Sequence, residues 1–246
     1  MVDLSHHRIT RVTLLDFGTF DVGPGRRIIG IPGYLLETHL GGRILIDTGF
    51  PPDYADGPQA ALRDGLAAFG VLCGFTAANT AAGQLALMGL TPADIDLLIL
   101  THSHIDHVGS LPLFTCPVIL TAVERAEAQP LYFGSARPID WPDLPYHLIT
   151  DEVEICHGLN LIPTPGHTPG HLSVLVTQPR PIILAADAIN RASEPDEGFA
   201  DAVDPVAAAR SAARLWQLQA EHGAQFIYGH EPAQWTSLPK APHALT

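Results

Sequence analysis

The stretch THSHIDHVGS, residues 101–110, places three histidines and an aspartate within six positions, His102 to His107, directly after the apolar run IDLLIL. With this composition H-x-H-x-D-H arises by chance in on the order of one chain in several hundred. Imidazoles and a carboxylate at the end of a buried strand are costly unless each is paired or coordinated. A metal ion satisfies them together. Neutral imidazole and carboxylate suit zinc, iron, cobalt or manganese, and no thiolate is present to select a softer ion. Four donors in six residues converge poorly on one tetrahedral ion. Alternation along an extended chain would turn His102 and His104 to one ion and Asp106 and His107 to a second.

A two-metal site needs donors from elsewhere in the chain. TPGHTPGH (164–171) sets His167 in a Pro/Gly loop straight after NLIPT, where tight turns let an imidazole project from a sheet edge. PIILAAD ends on Asp187 and AQFIYGH ends on His230. An ionised Asp187 at the end of an apolar strand is expected to bridge the cations. Two cations ~3.5–4 Å apart lower the pKa of a shared water toward 7, so a bridging hydroxide becomes the nucleophile and no serine is required. One cation then polarises a carbonyl and stabilises the oxyanion, while the other accepts a leaving alkoxide. Asp106 is the candidate for carrying a proton to the leaving group. Asp47, in LIDTG, is expected to accept from the free ring nitrogen of a ligand histidine, with Thr101 and His171 as further supports. His6, His7, His39, His147, His157, His222 and His243 fall outside any ligand pattern.

The elements that must position these residues are legible as short β-branched runs alternating with a few helices. RITRVTLLDF (8–17), IGIPGYLLET (29–38) and GRILIDTG (42–49) read as an N-terminal meander of strands. TAAGQLALMGL (80–90) has helical spacing, and IDLLIL (95–100) is the strand that delivers the histidine motif. PVILT (117–121) is another strand, and Thr121 is placed to cap a helix through AVERAEA with Glu124 at the capping-box position. NLIPT (160–164), LSVLVT (172–177) and PIILAAD (181–187) are further strands. The clearest helix is DPVAAARSAARLWQLQAEHG (204–223), with Asp204 as N-cap, Pro205 at the first position and Gly223 as the stop. Strand sets in both halves with helices between them predict an α/β fold of two sheets packed face to face with helices outside.

Composition bounds the function classes. The 246 residues are 46% hydrophobic, enough for a substantial core, and no low-complexity stretch divides them, so one domain over 1–246 is expected. A formal charge of −13 with one lysine, Lys240, leaves no basic stripe for nucleic acid. No segment approaches the ~20 apolar residues of a membrane span, and MVDLSHHRITRVTLL lacks a cationic n-region followed by an apolar stretch. The expected location is cytoplasmic. Cys73, Cys116 and Cys156 are odd in number, without C-x-x-C spacing, and read as reduced thiols filling core positions.

With LIDTG, THSHIDHVG, TPGHTPGH, Asp187 and the GH at 229–230 in place, the chain resembles the metallo-β-lactamase superfamily. Within it, PGYLLETHLGGRILIDTGF, ITDEVEICHGLNLIPTPGHTPGHLSVLV and DPVAAARSAARLWQLQAEHGAQFIYGHEPAQW are most similar to the N-acyl-homoserine lactonases, the quorum-quenching branch. That resemblance implies an αββα sandwich of two mixed β-sheets with a dinuclear site, usually zinc. It implies that His102, His104 and His167 hold the first metal, that Asp106, His107 and His230 hold the second, and that Asp187 bridges. The implied activity is opening of the lactone ring of an N-acyl-homoserine lactone, a small-molecule substrate. The alternative is hydrolysis of other lactones, aryl esters, thioesters or phosphotriesters on the same site. A flavodiiron-like oxygen reductase would require a glutamate among the ligands and a flavin domain, and neither is apparent. The family often dimerises, but no heptad or long apolar stripe specifies a homodimer interface here.

The chain departs from the family at one position. Where the family typically carries a tyrosine three residues after the bridging aspartate, this chain reads Asp187-Ala188-Ile189-Asn190. Asn190 could donate a hydrogen bond in place of the phenol, or Tyr34, Tyr132 or Tyr146 could reach in from a loop. Substrate walls are expected from residues 53–75, with Phe69 and Phe75, and from residues 128–146, with Tyr132, Phe133 and Trp141. Arg137 is the one cation of the second segment's centre, thin support for the basic pocket that glutathione-thioester hydrolases of the superfamily usually carry.

Overall fold

The computed structural model describes residues 3–23, 27–131 and 139–246, so Tyr132, Phe133 and Arg137 lie outside the described residues. The meander forms as β1 (Ile9–Asp21), β2 (Ile28–Thr38) and β3 (Arg43–Ile46), joined antiparallel. The segment 53–75, from which a substrate wall is expected, contains a helix α1 (Pro58–Arg63) and a strand β4 (Val71–Gly74) that pairs with the end of β1. Then come α2 (Ala81–Leu87), β5 (Leu97–Ile99), the one-turn helix α3 (Ile105–Val108), β6 (Val118–Thr121) and α4 (Ala122–Arg125). Two strands that the sequence reading did not anticipate, β7 (Tyr146–Ile149) and β8 (Val153–Cys156), precede β9 (Leu159–Pro163), β10 (Leu172–Val176) and β11 (Ile182–Leu184). The chain ends with α5 (Pro205–His222), β12 (Gln225–Ile227) and α6 (Pro232–Ser237).

These strands make two mixed sheets, one ordered β4-β1-β2-β3-β5-β6-β7 and the other β12-β11-β10-β9-β8. Side-chain alternation explains why they stack. In β3 and β5, Ile44, Ile46, Leu97 and Ile99 face the second sheet, where they meet Leu161, Leu172, Val174, Ile182 and Leu184. The intervening Leu45, Leu98 and Leu100 face outward and pack with Ala81 and Leu85 of α2. On the far side, Ile162, Leu175 and Ile183 pack under Ala208, Ala212, Leu215 and Leu218 of α5. Strands apolar on both faces thus give four layers, helix, sheet, sheet, helix.

The caps of α5 are the ones the sequence indicates. Asp204 accepts from the backbone N–H groups of Val206 and Ala207, and Gly223 takes a left-handed φ of 61° at the C-terminus. The cysteines are unpaired, but only Cys156 is a buried core residue; Cys116 is partly buried and Cys73 is exposed. No helix among the described residues is long and apolar enough to cross a membrane.

Topology places the functional segments. β3 and β5 run parallel in the register Ile44–Leu97, Leu45–Leu98, Ile46–Ile99, so Asp47 and the histidine motif leave the sheet side by side. β11 and β12 are also parallel, with Leu184 beside Ile227, and bring the segments of Asp187 and His230 to one edge. The β9–β10 hairpin carries the loop 164–171.

Because α5 closes one outer layer, Leu215→Ala should cost about 2–5 kcal/mol of unfolding free energy, as other deep leucine truncations do. Trp216, 39% exposed on the same helix, should cost much less when truncated. Equal losses in urea unfolding would mean that α5 does not dock by this face.

Candidate metal centre

Seven donor side chains from four segments converge at the edges of the two sheets. Ligand atoms of His102, His104 and His167 lie within 4.8 Å of one another, as do those of Asp106, His107 and His230, and those of His102, His107 and Asp187. Asp187 spans both outer groups: Oδ2 is 3.3 Å from His167 Nε2, and Oδ1 is 3.4 Å from His107 Nε2 and 3.3 Å from His230 Nε2. His167 Nε2 and His104 Nδ1 approach to 3.0 Å.

The split between His104 and the pair Asp106/His107 differs in origin from the alternation expected. The extended chain ends at His104, which starts α3, and a helical turn rather than strand alternation directs Asp106 and His107. A strand of that length would leave the sheet, whereas one turn folds both donors back over it. Asp187 likewise follows β11 through a tight turn, in which Ala186 takes a left-handed φ of 47°. That conformation costs about 1 kcal/mol or more for a residue with a Cβ and is held by the surroundings.

Hydrogen bonds fix which ring nitrogen is available. Asp47, itself left-handed at φ 60°, accepts from Thr101 N and Thr101 Oγ1 at 2.8 Å each and from His107 Nδ1 at 2.8 Å. Thr101 Oγ1, having donated to Asp47, accepts from His102 Nδ1 at 3.1 Å. His230 Nδ1 donates to the carbonyl of Gly30 at 2.8 Å. In all three rings the proton is therefore on Nδ1 and the lone pair on Nε2. His171 stands behind the aspartate: its Nε2 accepts from the Asp187 backbone N–H at 3.1 Å and its Nδ1 donates to Thr164 Oγ1 at 2.9 Å. Burial pushes that neutral imidazole down to about 3.

A buried glutamate that the sequence reading placed only in a helix cap ties the site together. Thr121 does cap α4, accepting from Glu124 N at 3.2 Å, but the Glu124 carboxylate turns inward instead of back to the cap. Its Oε1 accepts from Ser103 N and Ser103 Oγ, and its Oε2 from Thr168 Oγ1 and Gly170 N. Four hydrogen bonds so join the His102–His104 segment to the His167 loop. A side chain at Gly170 would meet Glu124 N at 2.3 Å, so the close approach needs glycine. The only available signal was a Glu in a short apolar helix beside the motif.

The electrostatics favour cations. Burial holds His102, His104 and His167 below the ordinary imidazole value, which keeps them neutral. Burial opposes charge on His107 and His230 as well, but Asp106, Asp187 and, for His107, Asp47 outweigh it and raise both. Burial raises Asp106, whereas at Asp187 the neighbouring His230, His107 and His167 overcome burial and lower it. Fully buried His102 Nε2, His107 Nε2, Asp106 Oδ1 and Asp187 Oδ1 have no hydrogen-bond partner. Each such orphan costs about 1–3 kcal/mol, and a carboxylate more. Lone pairs of oxygen and imidazole nitrogen, without thiolate, fit two divalent cations.

The cluster opens into a cavity of about 370 Å³. Its apolar lining comes from Phe20, Val22, Ile29, Phe50 and Phe69, and its charged lining outside the cluster from Arg27, Arg191 and Asp201. Phe69 is thus where the sequence reading expected it. Phe75 is not: it stacks edge-on against Phe50 at 5.9 Å and lines a neighbouring cavity with Tyr54 and Leu66, because β4 turns it away. Trp141 is directed elsewhere too, lying 5.0 Å from the Arg125 guanidinium and donating to Glu127 O. Tyr146 packs on Trp141 and Tyr34 is buried within β2, so neither reaches in from a loop. Asn190, 7% exposed, lines the cavity, but its Nδ2 faces Glu194 Oε1 at 3.4 Å and its Oδ1 is enclosed without a partner.

The family profile described as the metallo-beta-lactamase superfamily matches residues 30–230, and the chain belongs to that superfamily. It is 30% identical over 240 residues to the N-acyl homoserine lactonase AttM of Rhizobium radiobacter, covering 87% of this chain and 86% of that one. It is 32% identical over 220 residues to the N-acyl homoserine lactonase AiiA of Bacillus thuringiensis subsp. kurstaki, covering 86% and 85%. Within the superfamily it therefore groups with the N-acyl homoserine lactonases. Among solved structures, an N-acyl homoserine lactone hydrolase with the product N-hexanoyl-L-homoserine at its catalytic metal centre superposes with a TM-score of 0.84 at 27% identity, over 96% of this chain and 99% of that one.

Two substitutions test the supports rather than the donors. Asp47→Ala, which frees the His107 ring, should lower metal affinity about 10–100-fold in chelator competition. Glu124→Gln, which sets an amide N–H against existing donors, should weaken the metal set of His102, His104 and His167 and leave secondary structure by circular dichroism unchanged. Native affinity in both variants would show that the donors are held without these carboxylates.

Proposed function

We propose that the protein is a metal-dependent lactonase that hydrolyses the ring ester of N-acyl-homoserine lactones. The observation that carries this reading is the set of buried, unpartnered donor atoms at the floor of a cavity with apolar walls, in a chain whose relatives are N-acyl homoserine lactonases. His102, His104 and His167 would hold one cation, Asp106, His107 and His230 the other, and Asp187 both. Zinc is the ion this donor chemistry favours, with manganese, iron or cobalt also compatible. When bound, two such cations supply Lewis acidity toward the ester carbonyl and acidify water at neutral pH.

The chain's own residues do the rest. Asp47, Thr101 and the Gly30 carbonyl hold the rings of His102, His107 and His230, and His171 holds the Asp187 backbone. Phe20, Val22, Ile29, Phe50 and Phe69 exclude water and cover the acyl chain, which needs apolar walls. Asp106, which as a ligand would keep one carboxylate oxygen free, is placed to carry a proton to the alkoxide oxygen released as the ring opens. Asn190 is the residue against which the assignment must be read. One of its two amide N–H groups faces Glu194 at 3.4 Å, so only a shorter donor remains where a phenol would stand, which favours a second reading in which simple lactones or aryl esters are turned over on the same site.

Proton release by the zinc-loaded protein on N-acyl-homoserine lactones, beside a γ-lactone and an aryl ester, tests both. Ring opening that depends on the acyl chain, stops on chelation and returns with zinc is the expected result. Asp187→Ala and His104→Ala should lose it together with bound metal by elemental analysis. Undiminished turnover in a verified metal-free preparation would overturn the reading.

A further inference from the structure

Beyond the donor cluster, the cavity carries two guanidiniums, Arg27 before β2 and Arg191 after the Asp187 turn. A plain alkyl chain has no use for either. Arg191 is 7% exposed, and that remainder belongs to the cavity it lines. Its Nη2 donates to Glu197 Oε2, and Ser193 Oγ fixes the same carboxylate by donating to Oε1 at 2.7 Å. A guanidinium has five N–H donors, so this pairing anchors Arg191 while its side chain makes no other hydrogen bond to a described residue. Arg27 makes no ion pair with a described residue, and its Nε–H is enclosed with no acceptor.

The two cations also feel one another: burial and the nearby Arg191 together hold Arg27 below the usual guanidinium value. Asp201 lines the same cavity, and Glu194 and Glu197 flank Arg191. These acids offset the two positive charges, so the pair presents directional donors rather than a strong net field. Such donors fit an oxygen acceptor, neutral or charged, brought in by a ligand.

We propose that Arg27 and Arg191 form a polar arm of the cavity that donates hydrogen bonds to an oxygen on the acyl group beyond its amide, so that oxygen-bearing acyl chains are preferred over plain alkyl chains. The assignment rests on the lactonase reading above. It makes these arginines specificity residues, separate from the donor cluster.

The test compares hexanoyl, 3-oxohexanoyl and 5-carboxypentanoyl homoserine lactones on the zinc-loaded native protein, Arg27→Met and Arg191→Met. The native protein should favour at least one oxygen-bearing chain by about tenfold in kcat/KM, equivalent to ~1.4 kcal/mol, and mainly through KM. A preference for the 3-oxo chain identifies a carbonyl and a preference for the carboxylated chain a carboxylate, and either supports the arm. In the variants the ratio should fall toward one with metal content unchanged. Arg27 anchors no described residue, so Arg27→Met keeps the test intact if Arg191→Met fails to fold. Calorimetric titration of the ring-opened products gives the same ratio without turnover, so absence of lactonase activity and absence of the arm are read separately. A native ratio of one, or a ratio that survives in both variants, overturns the proposal.

Discussion

Three imidazoles at the centre of this protein each spend one ring nitrogen on a fixed oxygen: His102 on Thr101, His107 on Asp47 and His230 on the Gly30 carbonyl. Each then turns a lone pair into a buried space shared with two carboxylates, and lone pairs cannot hydrogen-bond to one another. The rest of the site follows from that constraint. The neighbouring acids outweigh burial at His107 and His230, so the site favours positive charge there. A divalent cation answers the same field and also takes up the unpartnered atoms.

The sheets supply the geometry at little local cost. Parallel pairing of β3 with β5, and of β11 with β12, sends consecutive strands out at the same edge, so supports and donors emerge as neighbours. Strain appears where the chain must be re-aimed at the site. Asp47 and Ala186 are left-handed non-glycine residues beside the site, one an aspartate that tolerates the conformation and the other an alanine held by what surrounds it. Glu124 completes the frame from the helix side by joining loops that belong to different sheets.

Much of this was legible because apolar runs end on ionisable residues. IDLLIL, NLIPT, PIILAAD and AQFIYGH read as strands with chemistry at their ends, and the sheets place all four segments at one edge. What was not legible depends on tertiary direction. Strand alternation was the natural reading of H-x-H-x-D-H, but α3 begins at its midpoint because the chain must turn back over the sheet edge. Glu124 looked like half of a capping box, and only the folded chain offers its carboxylate four better donors. Phe75 and Trp141 were aromatic residues in the right segments facing other partners, since composition says that a wall is apolar but not which way a ring points. Asn190 read as a free donor, but Glu194, four residues on, takes one of its two amide N–H groups.

The division of donors between sheets has a consequence for how the molecule is made. His102 to His107 follow β5 of one sheet, whereas His167, Asp187 and His230 belong to loops of the other. Neither sheet alone can gather a full set around one ion, and the most distant donors are separated by more than half of the chain. Ion capture is therefore coupled to docking of the two sheets, a long-range step that comes late and slowly in chains of this topology. An ion in this seam acts as a rivet set after assembly, locking the sandwich shut rather than seeding it.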